Sequence, residues 1–285
     1  MAPDGSKAYV TGIDSLSIID AQTDTVTATV TVPAGAFALA VSPNGRRLYV
    51  TNALDSVTVL DTATNAVIAT INTGTTSPSG VAVSPDGSKI YVANYATAVV
   101  LVIDAATNAI VATIPIPEGI PGVIPTPYVL AVTPDGARVY VTILNGTFVD
   151  VIDTSTNTVI ASVTVGVDPL GVDVTPDGKR VYVANVFGSC TPNCAPAGSV
   201  SVINTATNTV TDTIAVGGQP LAFGRFIPSG MTLPKFAGTP GKANCYGQSV
   251  SALTSQYHGI NAAAAALGYS SAKALQNAIL AFCEA

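Results

Sequence analysis

An all-β fold assembled from a repeated unit is what this sequence predicts, on three observations. A turn-and-strand motif, PDGSKIYVAN at 85–94, returns as MAPDGSKAYVTG at 1–12, PNGRRLYVTN from Pro43, PDGARVYVTI from Pro134 and PDGKRVYVAN from Pro176. Its prolines stand at 3, 43, 85, 134 and 176, with a degenerate Pro228-Ser229-Gly230 at 228, so the intervals are 40, 42, 49, 42 and 52 residues. Within each interval four strand-length segments rich in Val, Ile and Thr recur. Four antiparallel strands per repeat of about 40 residues make one blade of a β-propeller.

The elements follow in order. In the third copy the strands are Val81 to Ser84, Lys89 to Asn94, Val99 to Ile103 and Ala109 to Pro115, each bounded by turn chemistry. Pro-x-Gly joins the first strand to the second, with Pro holding φ near −65° and Gly supplying a positive φ. Asp-x-x-Thr-Asn joins the third to the fourth, at Asp61 to Asn65, Asp104 to Asn108 and Asp153 to Asn157, with variants at Asp20 to Asp24 and Asn204 to Asn208. There Asp accepts from backbone N–H groups two residues on, and Asn tolerates the left-handed region. A ring of calcium sites is the alternative, but oxygen ligands at alternate positions and a bidentate Glu are missing from the motif.

Counting strands from the ends predicts closure. The chain enters at the second strand of a blade, Lys7 to Thr11, and its last propeller segment, Leu221 to Ile227, has first-strand character. Paired together they would close a five-bladed ring, one strand plus three, with no free edge. The expected organisation is a propeller over 1–229, a Gly- and Pro-rich linker over 230–243, and a helical C-terminal tail over 244–285. In the tail, Ser249 caps a helix toward Tyr257, Gly268 ends Ala262 to Leu267, and Ser270 or Ser271 starts a last helix carrying Leu275, Ile279 and Phe282 on one face.

Composition narrows the function. Charged residues are 10% of the chain and the net charge is −6, so the clustered cations that hold phosphates are lacking and nucleic acid is not an expected partner. No run of 18 apolar residues occurs, so no transmembrane segment is expected despite 48% hydrophobic content. The four cysteines have no metal-type spacing; as disulfides Cys190–Cys194 and Cys245–Cys283 they imply an oxidising compartment, and free thiols are the alternative. The expected location is therefore extracellular, cell-surface or periplasmic, although no signal peptide opens the chain. A Cys245–Cys283 bridge would staple a tail too small to be secure alone.

The segments YVTN, YVAN, VSPDG and VIDTATN resemble the YVTN-family β-propeller repeats of surface-layer and secreted proteins, over residues 3 to about 229. The resemblance implies a propeller. Members of that family commonly have more blades than five.

Strand direction sorts the loops onto two faces. The Pro-x-Gly and Asp-x-x-Thr-Asn turns share one, short and near-identical. The second-to-third loops and inter-blade connections share the other, which also holds the insertions Ile116 to Pro127 and Val186 to Gly198. Binding residues concentrate on loops held by a rigid scaffold, so the candidates are Tyr95, Glu118, Tyr128, Asn145, Phe148, Asp168, Asn185 and Phe187; drift at tolerant loop positions is the structural alternative. On the inner strands, three residues before each repeat's Pro, stand Ala40, Ala82, Ala131, Asp173 and Arg225. The two charges are expected to meet near the central channel, as a closure ion pair or a ligand site. Lys7, Arg46, Arg47, Lys89, Arg138, Lys179 and Arg180 read as a solvated rim.

Catalytic constellations are lacking. The only histidine, His258, lies in the tail, and no P-loop or GxGxxG opens a helix. No catalytic residue, metal or cofactor is expected. The leading reading is a non-enzymatic scaffold that binds a protein or glycan through the long-loop face, with the tail serving cell-surface attachment. The alternatives are a lactonase- or lyase-like enzyme using Glu118, Asp168 or Asp173 with a metal, and a lattice subunit that self-assembles.

Overall fold

The computed structural model describes residues 1–74, 77–117, 124–187 and 198–222, with Lys273, Leu275, Gln276, Asn277 and Ile279 beyond them. The chain divides into two compact units, Met1–Ile227 and Pro228–Ala285. In the second, the five described residues are helical; Leu275 and Ile279 are buried while Lys273 and Asn277 are exposed. The cysteines, Glu118, Arg225 and His258 lie outside the described residues.

The first unit is all-β and propeller-like. Blade 1 has three strands, β1 (Lys7–Thr11), β2 (Ser15–Asp20) and β3 (Thr25–Thr31). Blade 2 has β4 (Ala36–Val41), β5 (Arg47–Asn52), β6 (Ser56–Asp61) and β7 (Val67–Asn72); blade 3 has β8 (Pro78–Val83), β9 (Lys89–Asn94), β10 (Val99–Asp104) and β11 (Ile110–Pro115). Blade 4 has β12 (Thr126–Val132), β13 (Arg138–Leu144), β14 (Phe148–Asp153) and β15 (Thr158–Thr164); blade 5 has β16 (Val167–Val174), β17 (Arg180–Phe187), β18 (Ser199–Asn204) and β19 (Thr209–Ala215). All pairings are antiparallel between consecutive strands, and the first strands β4, β8, β12 and β16 line up side by side.

The turns form as their chemistry requires. Gly87 adopts φ +73°, and Asn65, Asn108 and Asn157 adopt φ between +54° and +59°. Asp61 Oδ1 accepts from the backbone of Ala63 and Thr64 and from the Thr64 hydroxyl, and Asp104 and Asp153 repeat the pattern. These carboxylates are turned onto their own loops, and the hydrogen bonds hold them below the usual carboxylate range, Asp153 at about 2.

Blades seal against one another because the second and third strands are apolar on both faces. Tyr49, Val57 and Val59 face forward from blade 2 and meet Ile90, Val92 and Ile103 of blade 3. Blades 1 and 2, 3 and 4, and 4 and 5 meet through the equivalent residues. Where backbones come closest no side chain fits: a Cβ on Gly80 would stand 2.4 Å from the Tyr128 carbonyl oxygen. Gly171 is its counterpart two junctions on, with 2.7 Å to the oxygen of Ala222. Ala222 therefore sits beside β16 as β12 sits beside β8.

The expected five-bladed closure is not seen among the described residues. No strand pairs with the free edge of β1, and residues 223–227 are not described. Val10 is 51% exposed, whereas its counterparts Val50, Val92, Val141 and Val183 are at 0%. A blade packed behind blade 1 would cover it.

Candidate functional site

The inner strands carry a bulge near their starts, on the long-loop face: the register shifts between Ala36 and Leu39, Pro78 and Val81, Pro127 and Leu130, and Pro169 and Gly171. A bulge re-aims side chains and frees backbone groups. In blades 2 and 4 the freed amides of Ala38 and Val129 donate to the Thr51 and Thr142 hydroxyls, at 3.0 and 3.1 Å. The residues of the bulge differ between blades, being Phe37, Ser79, Tyr128 and Leu170 in turn. Ser79, the smallest, is buried and bonds across to the Pro127 carbonyl at 3.1 Å.

That substitution lets its two neighbours meet over it. Phe37 of blade 2 and Tyr128 of blade 4 stack edge to face with ring centroids 5.5 Å apart, and Tyr95, from the turn after β9 of blade 3, joins Tyr128 at 6.4 Å. Three consecutive blades thus contribute one aromatic ring each to a single cluster. Phe37 and Tyr95 remain 38% and 37% exposed, and burial together with the Tyr95 hydroxyl pushes the Tyr128 phenol up. Aromatic groups fixed by strands and open to solvent offer large apolar area at little entropic cost.

Of the sequence candidates, Tyr95 and Tyr128 are brought together, and Phe37 is the member that sequence reasoning missed. Its signal was available: a lone aromatic in the small-residue strand AFALAV. Asn145 is exposed at φ +58°, and Asp168 at φ +51° docks its amide on the Gly146 carbonyl at 2.9 Å, a loop contact between blades 4 and 5. Phe148 is half-buried against the core between blades 3 and 4, and Phe187 is half-buried at the end of β17. Asn185 is fully buried, donating to the Ser199 and Ser201 hydroxyls at 3.1 and 3.0 Å, as Asn52 does to Ser56 and Thr58. It ties β17 to β18 and is buried away from solvent.

Asp173 is buried on β16, accepting from the Val174 amide at 2.9 Å; its expected partner Arg225 is not described. Asp168 and Asp173 are five residues apart on one strand, roughly 16 Å, and no group of three metal-ligating side chains occurs among the described residues. The enzyme reading thus finds no convergent carboxylates there.

The solvated rim needs correction. Lys7 Nζ donates to the Thr62 carbonyl at 2.8 Å and Lys89 Nζ to that of Thr154 at 3.1 Å, while Arg47 and Arg138 reach the carbonyls of Ala105 and Thr205. All four are half-buried latches from one blade to the turn of the next. Arg46, Lys179 and Arg180 are exposed, as expected. The grooves on this face recur between blades 1 and 2 and between blades 3 and 4, lined by these latches, so they belong to the repeat.

The comparisons agree on architecture. A family model described as the cytochrome D1 heme domain matches residues 10–133. The seven-bladed beta-propeller protein Rv1057 of Mycobacterium tuberculosis is 38% identical over 104 residues, 34% of this chain and 26% of that protein. The matched segment thus spans about a quarter of that relative. The Kuenenia stuttgartiensis hydrazine synthase structure matches with a TM-score of 0.57 and 26% identity, over 64% of this chain and 49% of that one. This is a β-propeller protein. A heme needs an axial His, Cys, Met or Tyr, and cations for its propionates. The described residues hold no His or Cys, and their propeller cations all follow the short turns, on the opposite face. The two tyrosines at the long-loop mouth pack into the aromatic cluster. This face, as far as it is described, does not fit a heme.

Proposed function

We propose that this propeller is a non-enzymatic interaction scaffold that captures a glycan or protein through its long-loop face, with Phe37, Tyr95 and Tyr128 as the anchor. The observation that supports the reading is the convergence of three half-exposed rings from three consecutive blades. Edge-to-face packing leaves ring faces free to stack on the C–H face of a sugar or on an apolar protein side chain. The YVTN-type motifs fit a secreted or surface-layer type protein, and the tail serves attachment in this reading.

The test is a glycan array and a pull-down with the full chain, followed by titration of the ligand found. Phe37→Ala and Tyr128→Ala should each weaken binding at least tenfold, with the fold unchanged by circular dichroism. Leu54→Ala, an exposed residue in the turn after β5, should change nothing. Undiminished binding by both aromatic variants would overturn the reading.

A further inference from the structure

The long-loop face is sorted by charge as well as by shape. Among the described propeller residues every Lys and Arg follows a short turn, on the opposite face. The two insertions add Glu118 and no cation. Asp14, in the β1–β2 loop, and Asp55, in the β5–β6 loop, are exposed, and among the described residues their carboxylates accept no hydrogen bond and join no ion pair. The turn aspartates Asp61, Asp104 and Asp153 differ, being closed onto their own loops.

Backbone hydrogen bonds place these two carboxylates beside the aromatic cluster. The Ile13 carbonyl accepts from the amides of Gly35 and Ala36, at 2.6 and 3.2 Å, and the Thr11 hydroxyl donates to the Phe37 carbonyl at 3.2 Å. The Gly35 carbonyl accepts from Ala53 at 2.7 Å, that of Ala53 from Ser77 at 3.0 Å, and that of Ser77 from Tyr95 at 3.0 Å. The Asp14 loop thus adjoins the segment that leads into Phe37, and the Asp55 loop is tied between that segment and Tyr95. Asp55 belongs to blade 2, which has a blade packed on either side.

What this surface presents is electron-rich. An aromatic face attracts a cation, and a guanidinium stacks on a ring while its N–H groups fork to a carboxylate. The hydroxyls beneath the rings, which would read a sugar, bond inward: Thr51 donates to the Ser79 carbonyl at 2.7 Å, and Ser79 to that of Pro127 at 3.1 Å. We infer that the occupant of the Phe37, Tyr95 and Tyr128 anchor is a basic polypeptide segment, with an arginine shared between the rings and Asp55 and with Asp14 adding to the attraction. The inference rests on the anchor proposed above and selects its partner: a protein that carries Arg beside apolar side chains, in preference to a glycan.

The experiment titrates the full chain against a fluorescent peptide of Arg, Leu and Gly, and against the same peptide with Glu in place of Arg, at low and at high salt. The Arg peptide should bind and the Glu peptide should not. Phe37→Ala and Tyr128→Ala should each weaken the Arg peptide roughly tenfold. Asp55→Asn, at an exposed position, should weaken it about threefold at low salt, a difference that closes at high salt. Asp24→Asn is the control for general attraction to an acidic chain, since Asp24 is exposed on the opposite face at φ +53°, which Asn accepts equally; it should change nothing. Equal binding of the two peptides, or equal losses from Asp55→Asn and Asp24→Asn, would overturn the inference. A neutral glycan that binds and is lost in Phe37→Ala, with no binding of the Arg peptide, overturns the inference while the anchor stands. Binding of peptide and glycan that is indifferent to Phe37→Ala and Tyr128→Ala overturns both.

Discussion

Val50 and Val10 occupy the same position of the same motif, YVT, in neighbouring blades, and one is at 0% exposure while the other is at 51%. The difference lies wholly in what stands behind the strand. Each blade is a thin layer that is apolar on both faces, so its sequence codes for burial it cannot supply alone. An interior junction supplies it, and an end does not. The interior is therefore where single changes should cost most, and the ends are where the same changes should cost least.

The largest contrast lies in the glycines. Gly80→Ala places a methyl 2.4 Å from a backbone oxygen that no rotamer can move aside, and should destabilise by about 3 kcal/mol in urea melts. Gly217→Ala, with nothing within 4 Å, should leave the midpoint unmoved. Two equal costs would show that the blade 3–4 junction is looser than the close approach implies.

Asp150 marks a weak spot within the sealed region. It is 2% exposed on β14, accepts from the Ser162 hydroxyl, and burial pushes its carboxyl up to about 6 from 3.8. The folded state then holds a proton that the unfolded chain has released. Stability should fall as pH rises from about 4 to 6 and level off above that, by roughly 2 to 3 kcal/mol for this group. Asp150→Asn should cancel that slope, so the variant gains on wild type at pH 7 but not at pH 4. Subtracting the two pH profiles removes the turn aspartates, whose depressed values act at lower pH. Parallel profiles would mean that water reaches the carboxylate.

The valine pair tests the comparison directly. Val50→Ala should cost about 2 kcal/mol, from lost transfer energy and an unfilled cavity, and Val10→Ala less than about 0.5 kcal/mol. A similar cost at both positions would mean that blade 1 is covered from behind.

How far these features were legible in the sequence follows from their range. The blades, the turns and the entry at a second strand were readable because each is fixed within about ten residues by proline, glycine, Asx chemistry and period-two burial. The aromatic cluster was half readable. Tyr95 and Tyr128 stand out as loop aromatics, but Phe37 meets Tyr128 only because Ser79 between them is small, a condition set 42 residues away. The latches were misread as a rim since their acceptors are backbone carbonyls, which carry no sequence signature. Ring closure reaches beyond that range: strand count says which edges match, and the segment that would close the ring lies outside the described residues.

The smallest predicted effects concern those latches. Arg47 bridges to the Ala105 carbonyl, on a residue only 6% exposed, whereas Arg180 begins β17 in solvent. Truncating Arg47 to Ala removes a charged donor and leaves a shielded carbonyl with poorer solvation, which should cost about 1 to 2 kcal/mol. Truncating Arg180 strips only exposed atoms and should cost nothing measurable. The pair shares sequence context, strand position and charge, so a difference in urea midpoint isolates the neighbouring blade. The Arg47 cost should also persist in high salt, because a half-buried bond to a carbonyl is screened less than a surface ion pair. A salt-sensitive loss at Arg47 would return it to the solvated rim.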